Sequence, residues 1–131
     1  MGGFVPIPAR TEEIARVVID CAFRIHSQLG PGLLESVYEE CLCYELRKRG
    51  CHYVRQLEVP VTYEEIRMDS GFRLDILVED LVVVEVKAVT EMHPVFAATT
   101  LTYLKMTGKR LALLINFHVP LIKDGIQRII R

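Results

Sequence analysis

Residues 72–89 read FRLDILVEDLVVVEVKAV, and the pairing of the two halves of this stretch decides the fold. Each half alternates at the period of a strand. In the first, Phe72, Leu74, Ile76 and Val78 share one face, with Arg73, Asp75 and Leu77 on the other. In the second, Val82, Val84, Val86 and Ala88 oppose Val83, Glu85 and Lys87. The short polar connection predicts an antiparallel hairpin. Its register matters, because a slip of one residue moves every side chain to the opposite face. A two-residue loop, Glu79-Asp80, would set Leu74 against Glu85 and Phe72 against Lys87. A three-residue loop, Glu79-Asp80-Leu81, pairs Val78 with Val82, Ile76 with Val84, Leu74 with Val86 and Phe72 with Ala88. The apolar faces then coincide, Asp75 falls across from Glu85, and Arg73 falls across from Lys87.

Opposed carboxylates repel one another. A divalent cation would offset the repulsion, since carboxylate oxygens are preferred ligands of Mg²⁺ and Mn²⁺. A shared proton, or an ion pair with Lys87 or Arg73, would also do so. The competing reading is an ordinary antiparallel sheet, wet on one face, on which Glu85 and Lys87 simply pair.

Outward from this hairpin, the chain alternates helical and strand patterns. Residues 1–9 hold Gly and Pro breaks and are expected to form a flexible arm, with a single domain over 10–131. Thr11 before Glu12 and Glu13 suggests a helix cap, and Ile14, Val17, Val18, Cys21, Ile25 and Leu29 follow at helical spacing. Gly30-Pro31-Gly32 separates this helix from a second, running from about Leu33 to Arg49. Strands are predicted over Tyr53–Tyr63, Ile66–Asp69, Phe72–Val78 and Val82–Val89. A helix opens at Pro94 and ends at Gly108, and Leu111–Phe117 is a fully apolar strand. The tail from Gly125 fits a short strand or a short helix. The order is roughly ααββββαβ, an α/β (α+β) domain with a mixed β-sheet flanked by helices.

The 131 residues are half hydrophobic and a quarter charged, so a packed core is expected. The net charge of −1 provides no global attraction to nucleic acid, and any such binding must use local patches. The basic clusters, such as Arg47-Lys48-Arg49, are each expected to be solvated helix ends and loops when taken alone. No signal-peptide pattern or membrane span is legible, and a cytoplasmic protein is expected. Cys21, Cys41, Cys43 and Cys51 form no CxxC pair and are expected to be reduced.

Two motifs carry a resemblance. Asp75 followed by Glu85-Val86-Lys87 resembles the core of the PD-(D/E)XK nuclease superfamily. Gly32-Leu33-Leu34-Glu35-Ser36-Val37-Tyr38 matches the GxxExxY signature, and the chain from about Ile14 to Ile129 is similar to the family named after it, which is placed in that superfamily. The resemblance implies a restriction-endonuclease-like core and metal-dependent hydrolysis of phosphodiesters in DNA or RNA. It implies Mg²⁺ or Mn²⁺ held by Asp75, Glu85 and the Val86 carbonyl, with Lys87 acting on the attacking water. Glu35 matches an acidic residue that many members place on an early helix, although a carboxylate is favoured at any helix start. Tyr38, Thr99 and Tyr103 are secondary candidates, a Tyr such as Tyr38 being more often core packing with its hydroxyl at the rim than a phosphate ligand.

One segment departs from the family. Related chains carry a polar helix start resembling HEAQ; here Phe96-Ala97-Ala98-Thr99 precedes Thr100–Lys105. Thr99 stands where a Gln is expected and cannot replace its amide. The departure supports an alternative reading, a catalytically weak or inactive nuclease-like binding module. A homodimer is expected in either case, because so small a chain has little surface with which to grip a duplex, and a structural role for such a dimer is a third reading.

Overall fold

The structure, a computed structural model, describes residues 5–131. The expected arm lies partly outside the described residues. From Val5 onward the chain is docked: Ile7 is buried, the Val5 carbonyl accepts a hydrogen bond from Arg110, and Ala9 opens the first helix.

Helix α1 spans Ala9–Leu29, and α2 spans Glu35–Lys48. Strands β1 (Tyr53–Tyr63), β2 (Ile66–Val78) and β3 (Val82–Lys87) follow. After α3 (Pro94–Thr107) come β4 (Leu111–Asn116), a 3₁₀ turn at Ile122–Gly125, and β5 (Ile126–Ile130). The five strands form one mixed sheet in the order β1-β2-β3-β4-β5. Only β3 and β4 run parallel, joined by the α3 crossover; the other neighbours are antiparallel.

Side-chain alternation sorts the sheet into two cores. Ile76, Val78, Val82, Val84, Val86, Leu111, Leu113 and Ile115 pack with α1 and α2 on one face. Leu77, Val83, Ala112 and Ile129 pack on the other, where α3 contributes Leu104. The central strands β3 and β4 are covered on both faces, which is why they read as continuous apolar runs.

The hairpin adopts the three-residue connection: Val78 pairs with Val82 and Ile76 with Val84. Glu79 and Asp80 both take positive φ, of 52° and 57°, and the Leu81 amide donates to the Val78 carbonyl. That is a tight turn with left-handed residues at both central positions, whose twist suits antiparallel strands.

Several expectations are corrected. Thr11 does not cap α1; the helix starts two residues earlier and buries Thr11 within it. Helix α2 begins at Glu35 and not at about Leu33, so Glu35 lies at its very first position. The segments Ile66–Asp69 and Phe72–Val78 are one strand, giving the order ααβββαββ, and the tail forms the edge strand β5. The two segments looked separate because β2 bulges against β1 between the Val59 and Val61 pairs. Gly71 lies in that bulge, where an added Cβ would come within 2.2 Å of Val61.

The largest correction concerns Leu74 and Phe72. They do not continue the face of Ile76 and Val78; they join the core under α3, with Leu77. The ladder between β2 and β3 ends at Ile76–Val84, so the expected pairs Leu74–Val86 and Phe72–Ala88 are absent. Beyond that point β2 is paired with β1. The change of face coincides with Gln56 of β1, a non-glycine residue at φ 54°, in the register position opposite Asp75. Arg73 accordingly pairs with Glu58 across the β1–β2 ladder at 3.3 Å and does not face Lys87.

Candidate active site

The site lies where β2 and β3 part. Once the backbone ladder stops, each strand offers an amide that needs a partner. Two carboxylates supply them. The Val86 N–H donates to Asp75 Oδ2 at 2.8 Å, and the Asp75 N–H donates to Glu85 Oε2 at 3.0 Å. This reciprocal exchange fixes both side chains at the mouth of the opening. The other oxygens are less engaged. Asp75 Oδ1 meets only the Gln56 amide, at a long 3.5 Å, among the described residues.

Burial dominates the electrostatics. Glu85 is 6% exposed. Loss of water is the main force raising its carboxyl to about 8, and the nearby Asp75 raises it further. The Asp75 N–H and the Lys87 ammonium act in the opposite direction. Asp75 is also raised, first by burial, against the Val86 N–H. The pair therefore resists carrying two negative charges without a compensating cation.

Lys87 ends β3 and stays half-buried. Its ammonium sits over the Phe96 ring of α3, 4.6 Å from the centroid, a cation–π contact. Tyr103, two turns further along α3, stacks on Phe72 with centroids 4.4 Å apart. The Tyr103 hydroxyl is raised by burial and then by the charges of Glu85 and Asp75, which puts α3 against the site. Thr99 is half-buried, at i+3 from Phe96 and i−4 from Tyr103, and so shares their face of the helix.

The opposite wall is α2. Glu35 is exposed, yet partial loss of water is the main cause that raises its carboxyl. Lys87 lowers it, Asp75 and Glu39 raise it, and the Ala88 N–H lowers it. Glu35 thus shares the electrostatic field of Asp75 and Lys87.

Tyr38 stands apart. It is fully buried and stacked on Phe117, with centroids 4.5 Å apart. Its hydroxyl donates to the Gly30 carbonyl at 2.6 Å and accepts from the Leu33 amide at 3.1 Å. Both bonds tie down the loop that leads into α2 and so set where Glu35 begins. His93 accepts from the Val95 amide through Nδ1 and caps α3.

Three neighbours of the site escaped the sequence reading. Glu39 is buried, paired with Arg55 at 2.5 Å, and accepts from the Gln56 amide at 3.0 Å. Asn116, buried opposite Lys87, accepts from the Val89 N–H at 3.1 Å and donates to the Val89 carbonyl at 3.0 Å. It clamps the chain just beyond the Glu85-Val86-Lys87 strand. A lone amide closing an otherwise apolar strand was the available signal for Asn116, and the i+4 spacing from Glu35 was that for Glu39; Gln56 offered none, because its meeting with Glu39 depends on how α2 packs.

The donor set suits a hard cation. No three His, Cys, Asp or Glu side chains among the described residues cluster tightly enough to enclose an ion by themselves. Mg²⁺ needs no such enclosure, since it typically takes one or two carboxylates and keeps several waters. The four cysteines are free, and burial raises each thiol, the direction of inert rather than reactive groups.

No described helix is long and apolar enough to cross a membrane. Neither a curated protein nor a solved structure matches the chain. A family model, that of the PD-(D/E)XK nuclease superfamily, matches residues 12–129, from the first turns of α1 to the end of β5. The mixed sheet flanked by helices fits the restriction-endonuclease-like fold, and the match spans nearly the whole chain: the protein belongs to the PD-(D/E)XK nuclease superfamily.

Proposed function

We propose that the protein is a metal-dependent nuclease that hydrolyses phosphodiester bonds in DNA or RNA, with Asp75, Glu85 and Lys87 as its reacting groups. The observation that carries this reading is the crossed pair of hydrogen bonds at the parting of β2 and β3, beside Lys87: the Asp75 carboxylate accepts from the Val86 N–H and the Glu85 carboxylate from the Asp75 N–H. A structural ion pair would not need a buried carboxylate beside a half-buried one.

Asp75 and Glu85, with the Val86 carbonyl, would hold Mg²⁺ or Mn²⁺. When bound, such an ion acts as a Lewis acid and lowers the pKa of its water. The chain's own residues orient and exclude. Burial of Glu85 keeps bulk water from competing for the carboxylates. The Asp75 and Val86 amides hold the carboxylates in place before substrate arrives. Lys87 would orient the attacking water and offset charge developing on the phosphate, and the Phe96 ring holds its ammonium at the rim. Glu35, at the start of α2, would be the further acid facing the ion's water shell. The GxxExxY assignment within the superfamily is supported by Gly32, Glu35 and Tyr38, of which Tyr38 anchors the loop. A homodimer would supply surface for a duplex, and reduced cysteines fit a cytoplasmic setting.

Phe96 also favours a second reading, a nuclease-like binding module. An aromatic ring over Lys87 replaces the polar helix start of related chains and restrains the ammonium. Incubation with Mn²⁺ and varied DNA and RNA separates the two. Cleavage abolished by Lys87→Ala supports the nuclease; nucleic-acid binding without cleavage at any metal concentration supports the module.

A further inference from the structure

Gln56 occupies an unusual position. It lies inside β1, yet its φ is 54°, a left-handed conformation that non-glycine side chains seldom adopt within a strand. Such strain persists where surrounding contacts demand it, and it concentrates at functional sites. The contacts are visible. The single Gln56 amide nitrogen donates to both oxygens of Glu39, at 3.0 and 3.1 Å, and reaches Asp75 Oδ1 at 3.5 Å. Glu39 is buried and held from its other side by Arg55 Nε at 2.5 Å; Arg55 also binds Glu40 at 3.0 Å.

We propose that Gln56, anchored by Glu39, is a positioning residue that orients the Asp75 carboxylate. The two acids would otherwise repel, and a neutral NH₂ between them satisfies both without adding charge. Arg55, also on β1, neutralises Glu39, so Glu39 anchors the amide without competing with Asp75 for a cation. Asp75 then keeps Oδ2 on the Val86 N–H and Oδ1 toward the Gln56 amide. The left-handed backbone is what lets a strand residue reach Glu39 and Asp75 together. The consequence for metal binding rests on the nuclease reading above; the orientation of Asp75 does not.

Gln56→Asn tests this directly. Asn tolerates the left-handed region better than Gln, which offsets part of the cost of the lost Glu39 hydrogen bonds, while its shorter side chain cannot span the two carboxylates. Hydrogen exchange at the Val86 amide reports the Asp75 bond in metal-free protein, and Mn²⁺ calorimetry reports the carboxylates' readiness to bind. Expected are exchange at Val86 faster by about tenfold, and Mn²⁺ affinity lower by about tenfold, the usual scale for losing a residue that supports a ligand. Gln56→Gly should behave alike. Wild-type exchange at Val86 in both variants would overturn the proposal, as would faster exchange that merely tracks a lowered melting temperature. Absence of Mn²⁺ binding by the wild-type protein would instead remove the nuclease reading, and Val86 exchange would still decide whether Gln56 orients Asp75.

Discussion

Asp75 and Glu85 replace the backbone ladder at the point where β2 and β3 separate: the carboxylate of each accepts an amide proton from the opposite strand. The two acids are therefore part of the hairpin's own hydrogen bonding as well as its candidate chemistry. Removing either should expose an unpaired amide and remove a candidate ligand together.

The first prediction uses that coupling. Asp75→Ala leaves the buried Val86 N–H without its acceptor and should destabilise the fold by about 1–3 kcal/mol. Asp75→Asn retains an acceptor oxygen and should cost less, while abolishing cleavage equally. Thermal melts and a nuclease assay on both variants check this. Asp75→Asn with wild-type cleavage would remove Asp75 from the reacting groups.

A second prediction concerns pH. The Glu85 carboxyl titrates near 8 when folded, against an ordinary value of 4.5. Between these values the folded state holds a proton that the unfolded chain has released. Stability from this group is therefore complete below about 4.5 and is lost as pH rises through about 8. Asp75 is raised in the same direction, first by burial. The metal-free protein should lose on the order of 1 kcal/mol per pH unit between about 5 and 8. Urea denaturation at several pH values reads this, and Glu85→Gln should flatten the slope.

Helix α3 gives a third. Phe96 holds the Lys87 ammonium, and Thr99 faces the same side. Thr99→Gln returns an amide to that face and should raise cleavage severalfold at unchanged stability. Phe96→Leu removes the cation–π contact, worth roughly 0.5–2 kcal/mol, and should lower cleavage without unfolding the protein. Initial rates on a labelled substrate decide both; Thr99→Gln without effect would detach Thr99 from the site.

Tyr38 yields the fourth. Its hydroxyl makes two loop hydrogen bonds from a fully buried ring. Tyr38→Phe should destabilise by about 1–3 kcal/mol while activity per folded molecule stays near wild type. A larger loss of activity than of folded protein, measured at a temperature where the variant is fully folded, would give Tyr38 a chemical role.

The sequence carried the local pattern well. The three-residue turn and the Ile76–Val84 register follow from matching apolar faces, and that register alone brings Asp75 to Glu85. Phe72 and Leu74 defeated the same logic, because alternation assumes an unbroken strand and β2 changes face between Leu74 and Ile76, opposite Gln56. Gln has no special preference for left-handed backbone, so no local signal marked the change. The Glu39–Arg55 pair was equally hidden: sixteen residues separate the two, and only the packing of α2 against β1 joins them. The Phe96 ring over Lys87 was visible as a departure in the chain, but its contact needed the parallel β3–β4 crossover to bring α3 across.

The central claim is that Asp75 and Glu85 share a divalent cation. A crystal soaked in Mn²⁺ and measured at the manganese absorption edge tests it most directly. The account predicts an anomalous peak between the two carboxylates, lost in Asp75→Ala. Mn²⁺ bound elsewhere on the protein, with no peak between Asp75 and Glu85, would contradict it.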